Sequence, residues 1–140
     1  MNKILIPFDG SDSALRAVRH AAAIAKANPE VQLQLLSVLD PMSEISQTTP
    51  TDQEIKRKQS DEAARIMQPA KTALEQAGLR FESSWRVGSP ANEIADYALK
   101  NNCDSIIMGT RGMGPIARVM IGSVATRVTH LIDLPVTLIK

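Results

Sequence analysis

A glycine-rich stretch in the last third of the chain carries the clearest signal for ligand binding. It reads GTRGMG over residues 109–114, it follows a short apolar run, and Gly122-Ser123 comes after it. Glycine lets backbone N–H groups approach a ligand because it has no Cβ. Helices predicted to begin at Pro115 and Ser123 would add free N–H donors and partial positive charge. The pattern therefore predicts a cradle for an anion such as phosphate.

This stretch differs from the two common phosphate-binding loops. It follows the fourth predicted strand, and no acidic residue stands at a strand end about 20 residues later, as the Rossmann fingerprint requires. It contains no Gly-Lys-Ser or Gly-Lys-Thr, so it is not a Walker A loop. The structural alternative is a plain glycine-rich turn, with Gly122-Ser123 serving only as a helix break and cap.

Few other side chains could carry chemistry. Asp9 directly follows the first predicted strand and is the only candidate contact to a metal ion. Its alternative role is to cap the turn into the next helix. His20 and His130 are predicted in or near helices, away from the ligand edge. Cys103 opens an apolar strand and is better explained as core. A single cysteine also excludes a disulfide framework and a cysteine-rich zinc site.

The composition excludes several classes of partner. The 140 residues include 16 Lys and Arg against 15 Asp and Glu, whereas nucleic-acid binders and polybasic membrane anchors carry a basic excess. Aromatic residues make up 3%, too few for base-stacking platforms. Neither a signal peptide nor an apolar run of about 18 residues is present. We expect a single domain over residues 1–140, cytoplasmic and reduced, with an aliphatic core, no nucleic-acid partner and no membrane insertion.

Strands and helices are predicted to alternate along the chain. Short apolar runs predict strands over residues 3–8, 31–39, 79–87, 103–108 and 136–139. Helical spacing predicts helices over residues 11–27, 54–77, 115–121 and 123–131, and another that begins at Pro90. The polar segment 40–53 is expected to be a loop. This order predicts an α/β fold with a doubly wound, five-stranded parallel sheet and helices on both faces. Its ligand crevice would lie beyond the carboxyl ends of the strands.

Gly109, Gly112, Gly122 and Ser123 form the pattern G-x2-G-x9-G-S. This pattern closely resembles the nucleotide-binding motif of the universal stress protein family, in its ATP-binding subclass. The segments ILIPFDGSDSA, LLSVLDP and GSPANEI resemble the family's first strand and turn, the end of its second strand and the turn into its third helix. GTRGMGPIARVMIGSVATRV and PVTLI resemble its C-terminal half. The resemblance implies a Rossmann-like fold related to the adenine nucleotide alpha hydrolases, and only residues 42–53 are unmatched.

The resemblance also implies which residues bind the nucleotide. They are Pro7, Asp9, Val38, Gly109, Arg111, Gly112, Gly122, Ser123 and Val124. In the family's pattern the glycines and the serine hold the phosphates and ribose, and Asp9 lies near the ribose or a Mg²⁺ or Mn²⁺ ion bound with the nucleotide. Pro7 and Val38 line the adenine, with the Val38 backbone reading the base edge; a plain core role is the alternative for Val38. Arg111 and Arg118 could supply charge to phosphate or simply lie in solvent.

The implied function is that of an ATP-binding universal stress protein, a nucleotide-dependent regulator of the stress response with no catalytic residue and at most slow ATP hydrolysis. Two alternatives stay open, an enzyme and a phosphorylation domain. Residues 9–13 (DGSDS) faintly resemble the SGGxDS loop of ATP pyrophosphatases, although the paired glycines are missing. A receiver-like phosphorylation domain would need an acceptor Asp after the third strand, where residues 86–88 (RVG) stand.

The last predicted strand is expected to form an edge of the sheet, as the resemblance implies. An edge strand presents unpaired N–H and C=O groups that can pair with another chain. Pairing of this strand with its copy would be antiparallel and two-fold symmetric, which closes the interface. We therefore expect a homodimer through residues 134–139 that forms independently of ATP.

Overall fold

The computed structural model describes residues 2–41, 51–110 and 121–140. Its strands are β1 (Lys3–Pro7), β2 (Gln32–Leu39), β3 (Phe81–Val87), β4 (Ser105–Gly109) and β5 (Val136–Ile139). Its helices are α1 (Asp12–Ala27), α2 (Asp52–Gln76), α3 (Pro90–Lys100) and α4 (Ser123–Leu131). The predicted alternation of strands and helices is confirmed for these elements. The predicted helix at 115–121 and most of the predicted loop, residues 42–50, lie outside the described residues.

The five strands form one sheet in the order β3-β2-β1-β4-β5. Every neighbouring pair is parallel, which confirms the predicted doubly wound sheet. The chain runs outward from β1 to β3 and then returns to place β4 beside β1. This reversal creates a switch point between the carboxyl ends of β1 and β4, where open α/β sheets bind their ligands.

Helices cover both faces of the sheet. Because successive side chains of a strand point to opposite faces, Leu5 and Ile6 enter different cores. Ile6 lies in the core under α1 and α2, and Leu5 lies in the core under α3 and α4. The largest fully buried side chains are aliphatic apart from Ser37, so the predicted aliphatic core is confirmed.

Local hydrogen bonds set the ends of α2. The Thr51 hydroxyl accepts the N–H of Glu54, so the helix begins two residues earlier than predicted. At the other end Gly78 has a φ of +73°, and the N–H of Leu79 donates to the carbonyl of Leu74. This is the Schellman arrangement that favours glycine, and it agrees within one residue with the helix end predicted at residue 77. The same bond holds Leu79 out of the sheet, so β3 begins at Phe81 rather than at residue 79.

A layer of polar side chains fixes α3 above β2 and β3. The Tyr97 hydroxyl donates to Gln34 Oε1 at 2.6 Å, and Gln34 is buried in the middle of β2. The Arg86 guanidinium lies 5.1 Å from the centre of the Tyr97 ring and is 2.8 Å from an Asp96 oxygen. Hydrogen bonds from Lys100 and Arg86 lower the pKa of Asp96. These contacts hold α3 against β2 and β3.

Candidate functional site

The turn after β1 is built around Asp9. Its Oδ1 accepts the N–H of Ser11 at 2.9 Å, and Gly10 between them has a φ of +87°, which favours glycine. Ser11 then caps α1, because its hydroxyl accepts the N–H of Ala14. The capping role that the sequence left open for Asp9 is therefore real. Only one carboxylate oxygen is used in this turn, and Asp9 is exposed at the carboxyl edge of the sheet.

The backbone groups of Val38 face the β1 side of β2, toward the predicted ligand position. Pairing of β1 with β2 reaches Pro7 opposite Leu36, and the N–H of Phe8 donates to the Leu36 carbonyl at 2.8 Å. Backbone groups of alternate strand residues face the same neighbour, so the N–H and C=O of Val38 face the β1 side, beyond the end of β1. The Leu39 carbonyl faces the other way and accepts from the Gly88 N–H. Meanwhile the Val38 side chain packs against the α3/α4 core, so both predicted roles are compatible.

Gly109, at the end of β4, is tightly covered by the first turn of α1. A Cβ on Gly109 would lie 2.4 Å from Ser13 Oγ and 2.7 Å from the Ala14 nitrogen. A carbon atom does not come that close to an oxygen or nitrogen atom, so α1 could not pack in this position if residue 109 had a side chain. The glycine is therefore required by helix packing, whatever contact it makes with a ligand.

Gly122 joins α4 to the end of β4. The Thr110 N–H donates to the carbonyl of Ile139, the last residue of β5, and the Thr110 carbonyl accepts the N–H of Gly122. Gly122 thus takes the place of a further β5 residue in the ladder. This contact holds the start of α4 beside the carboxyl end of β4.

The N-terminus of α4 carries no side-chain cap. Thr126 is the first residue whose N–H bonds back, to the carbonyl of the N-cap residue Gly122. The preceding N–H groups, those of Ser123, Val124 and Ala125, have no partner inside the helix. Together with the helix dipole they form the kind of site that accepts an anion.

The structure brings most of the predicted binding residues to one edge of the sheet. Those described at this edge are Pro7, Asp9, Val38, Gly109, Gly122, Ser123 and Val124. Arg111, Gly112 and Arg118 lie outside the described residues. Cys103 lies before β4, at the opposite edge, where burial raises the pKa of its thiol. His20 and His130 are exposed on α1 and α4.

Two further residues of this edge, Ser13 and Thr110, are not among the predicted binding residues. Both are polar and buried, with 3% and 6% of their surface exposed. Their positions within DGSDS and GTRG were the only available signal, because hydroxyl residues in turns are usually exposed.

Two kinds of feature are absent from residues 2–41, 51–110 and 121–140. No three side chains of His, Cys, Asp or Glu come together there as a metal site. None of the helices in these ranges is both long enough and apolar enough to cross a membrane.

The protein is thus an α/β protein with a five-stranded parallel sheet, and its candidate site lies at the carboxyl edge of that sheet. The model of the family described as the universal stress protein family matches residues 1–140. Universal stress protein MJ0531 of Methanocaldococcus jannaschii is 34% identical over 139 residues, which cover 99% of this chain and 81% of that protein. The chain belongs to the universal stress protein family.

Solved structures agree with this assignment. The structure of MJ0577, another M. jannaschii protein, superposes with a TM-score of 0.83 at 33% identity and covers 99% of this chain and 95% of its own. A universal stress protein in complex with cAMP has a TM-score of 0.74 at 25% identity, covering 99% of this chain and 97% of its own. The Archaeoglobus fulgidus protein in complex with dAMP has a TM-score of 0.72 at 25% identity, covering 100% and 98%.

Proposed function

We propose that this protein is an ATP-binding member of its family that acts as a nucleotide-dependent regulator in the stress response. The observation that carries the proposal is the uncapped N-terminus of α4, which Gly122 holds against the carboxyl end of β4. Free amides and a helix dipole at this place suit the phosphates of a nucleotide. Relatives solved with cAMP and dAMP support an adenine nucleotide as the ligand.

The other end of the nucleotide would lie across the crevice, against β1 and β2. The Val38 N–H and C=O offer one donor and one acceptor, which can pair with the edge of adenine without any aromatic side chain. Pro7 adds a buried apolar surface that has no N–H of its own to satisfy. The distribution of backbone groups thus matches an adenine at β2 and phosphates at α4.

A binding role fits the described residues better than catalysis. Phosphoryl transfer needs a positioned base or water-orienting residue, a cationic clamp and a held metal. The turn at residues 9–11 is closed by the Asp9 and Ser11 caps, and Ser13 packs against Gly109, which is unlike an open pyrophosphatase loop. We therefore propose binding with at most slow hydrolysis, in a cytoplasmic protein with one domain over residues 1–140.

The nucleotide content of the purified protein tests this proposal. We expect extraction and chromatography to yield an adenine nucleotide, and calorimetry on the stripped protein to give clear binding of ATP and none of GTP. Incubation with ATP should release no pyrophosphate, and acetyl phosphate should not label the protein. Stripped protein that binds no adenine nucleotide would contradict the proposal, and rapid pyrophosphate release would favour the enzymatic alternative.

Asp9 is expected to act through a metal ion bound with the nucleotide. A carboxylate beside a triphosphate is repulsive unless Mg²⁺ or Mn²⁺ lies between them. Asp9→Asn keeps an Oδ1 that can accept the Ser11 N–H, so the turn should survive. The variant should lose most of the gain in ATP affinity that Mg²⁺ gives, about tenfold if one favourable contact of roughly 1.4 kcal/mol is lost.

Calorimetry of ATP binding with Mg²⁺ and with EDTA measures this effect. Asp12→Asn is the matched control, because it removes the same charge from an exposed residue in the first turn of α1. If Asp9→Asn and the unmodified protein respond equally to Mg²⁺, Asp9 has no role toward the metal.

A further inference from the structure

Thr110 carries a buried hydroxyl with an unmet hydrogen-bonding capacity. The residue is 6% exposed, and its Oγ1 is the one buried side-chain oxygen or nitrogen without a hydrogen-bond partner in the described part of the chain. Buried hydroxyls are nearly always bonded, because leaving one unpaired destabilises the folded protein. An unpaired buried hydroxyl at a candidate ligand site therefore indicates a role in binding the ligand.

The backbone fixes where this hydroxyl lies. The Thr110 N–H and C=O are both bonded, to the Ile139 carbonyl and the Gly122 N–H, so the residue cannot easily shift. Side chains alternate along a strand, and Gly109 faces α1. The Thr110 side chain therefore lies on the other face, the face of Met108 and the α3/α4 core. The hydrogen bond from the Gly122 N–H to the Thr110 carbonyl places the residue beside the start of α4.

We propose that Thr110 is a further ligand-binding residue, whose hydroxyl donates a hydrogen bond to a phosphate oxygen held at the N-terminus of α4. This inference rests on the proposed nucleotide-binding function. Phosphate oxygens only accept hydrogen bonds, and a hydroxyl that donates to an anion makes one of the stronger bonds in proteins. One anion would then satisfy the uncapped amides of α4 and the orphaned hydroxyl together. In the free protein the unpaired Thr110 hydroxyl destabilises the fold. In the complex the same hydroxyl forms a hydrogen bond that stabilises the bound nucleotide.

Thr110→Val removes the hydroxyl and keeps the shape of the side chain. We expect the variant to bind ATP about 10-fold to 100-fold more weakly, the effect of one hydrogen bond to a charged group. Its affinity for adenosine, which has no phosphate, should not change. Without ligand its melting temperature should equal or exceed that of the unmodified protein, because a buried unpaired hydroxyl has been replaced by a methyl group.

Two further variants control this experiment. Thr110→Ser keeps the hydroxyl and should keep ATP affinity within about threefold, less than the loss of one such bond. Thr126→Val makes the same chemical change at an exposed position of α4 and should change neither quantity.

Each outcome decides the inference. Unmodified protein that binds no adenine nucleotide would overturn the proposed function and this inference with it. If the unmodified protein binds ATP and Thr110→Val binds it equally well, only the inference on Thr110 fails. It also fails if Thr110→Ser is as weak as Thr110→Val, if adenosine binding falls in parallel, or if Thr110→Val melts at a lower temperature, since that would mean the hydroxyl already has a partner in the free protein.

Discussion

Gly122→Val should abolish measurable ATP binding and leave the fold intact. Gly122 has a φ of −63° and a ψ of 155°, a conformation that valine adopts readily, so the substitution introduces no backbone strain. The added methyl groups would stand beside the first amides of α4, where the proposed phosphate must approach. Losing two hydrogen bonds to a charged group costs about 3–6 kcal/mol, which corresponds to a loss of affinity of at least about 100-fold.

Calorimetry with ATP and a thermal melt of the same sample measure both parts of this prediction. Thr126→Val places the same side chain one turn further along α4, at an exposed position, and should bind ATP normally. A well-folded Gly122→Val protein with undiminished affinity would mean that the phosphates bind elsewhere.

Gly109 offers a contrast within the same motif. Gly109→Ala would force a Cβ into Ser13 and Ala14, and overpacking of this kind costs about 1–3 kcal/mol. The variant should therefore melt at a lower temperature than the unmodified protein, whereas Gly122→Val should not. This difference would show that the two glycines of the motif have different roles. Gly109 allows α1 to pack against β4, and Gly122 allows the ligand to approach α4.

Two copies of the chain are expected to associate through β5. β5 is an edge strand, paired with β4 on one side only, and we propose that its open side pairs with the β5 of a second copy. The chain has a mass of 15.2 kDa. Light scattering at tens of micromolar should give about twice this mass, with and without ATP, as expected for a closed two-fold pairing.

The hydrogen bonds of β5 identify the residue to change. The carbonyls of Pro135 and Ile139 accept from β4, so the backbone of Thr137 also faces β4 and that of Leu138 faces outward. Leu138→Pro removes an outward N–H and should produce monomers. By contrast, Thr137→Pro would break the ladder inside the subunit.

The side chain of Leu138 packs into the α3/α4 core, so a second variant must measure the effect of losing this packing alone. Leu138→Ala removes that packing but keeps the outward N–H, and it should remain a dimer at the same concentration. A mass near that of one chain for the unmodified protein would contradict the proposed dimer, and a dimeric Leu138→Pro variant would move the interface away from this edge.

Local sequence patterns predicted the nine described elements and their order. Apolar spacing reports whether a side chain faces a core or solvent, and caps such as Ser11 and Gly78 act over a few residues, so both can be found without the tertiary structure. Element ends were less accurate, because helix-ending hydrogen bonds extend beyond the helix. The N–H of Cys103 donates to the Ala98 carbonyl at the end of α3, and β4 accordingly begins at Ser105 rather than at residue 103.

The fold class, the family and the edge of the sheet with the candidate site could all be predicted from the sequence, because each depends on patterns within single segments. The roles of the individual residues at that edge could be assigned only from the folded chain. Gly109 is a glycine because Ser13 of a distant segment lies against it, and the Thr110 hydroxyl is unpaired because of what surrounds it in the folded chain. The direction of the Val38 backbone groups likewise follows from the register between β1 and β2. These roles depend on strand register and on contacts between distant segments, and hydrophobic periodicity contains no information about either.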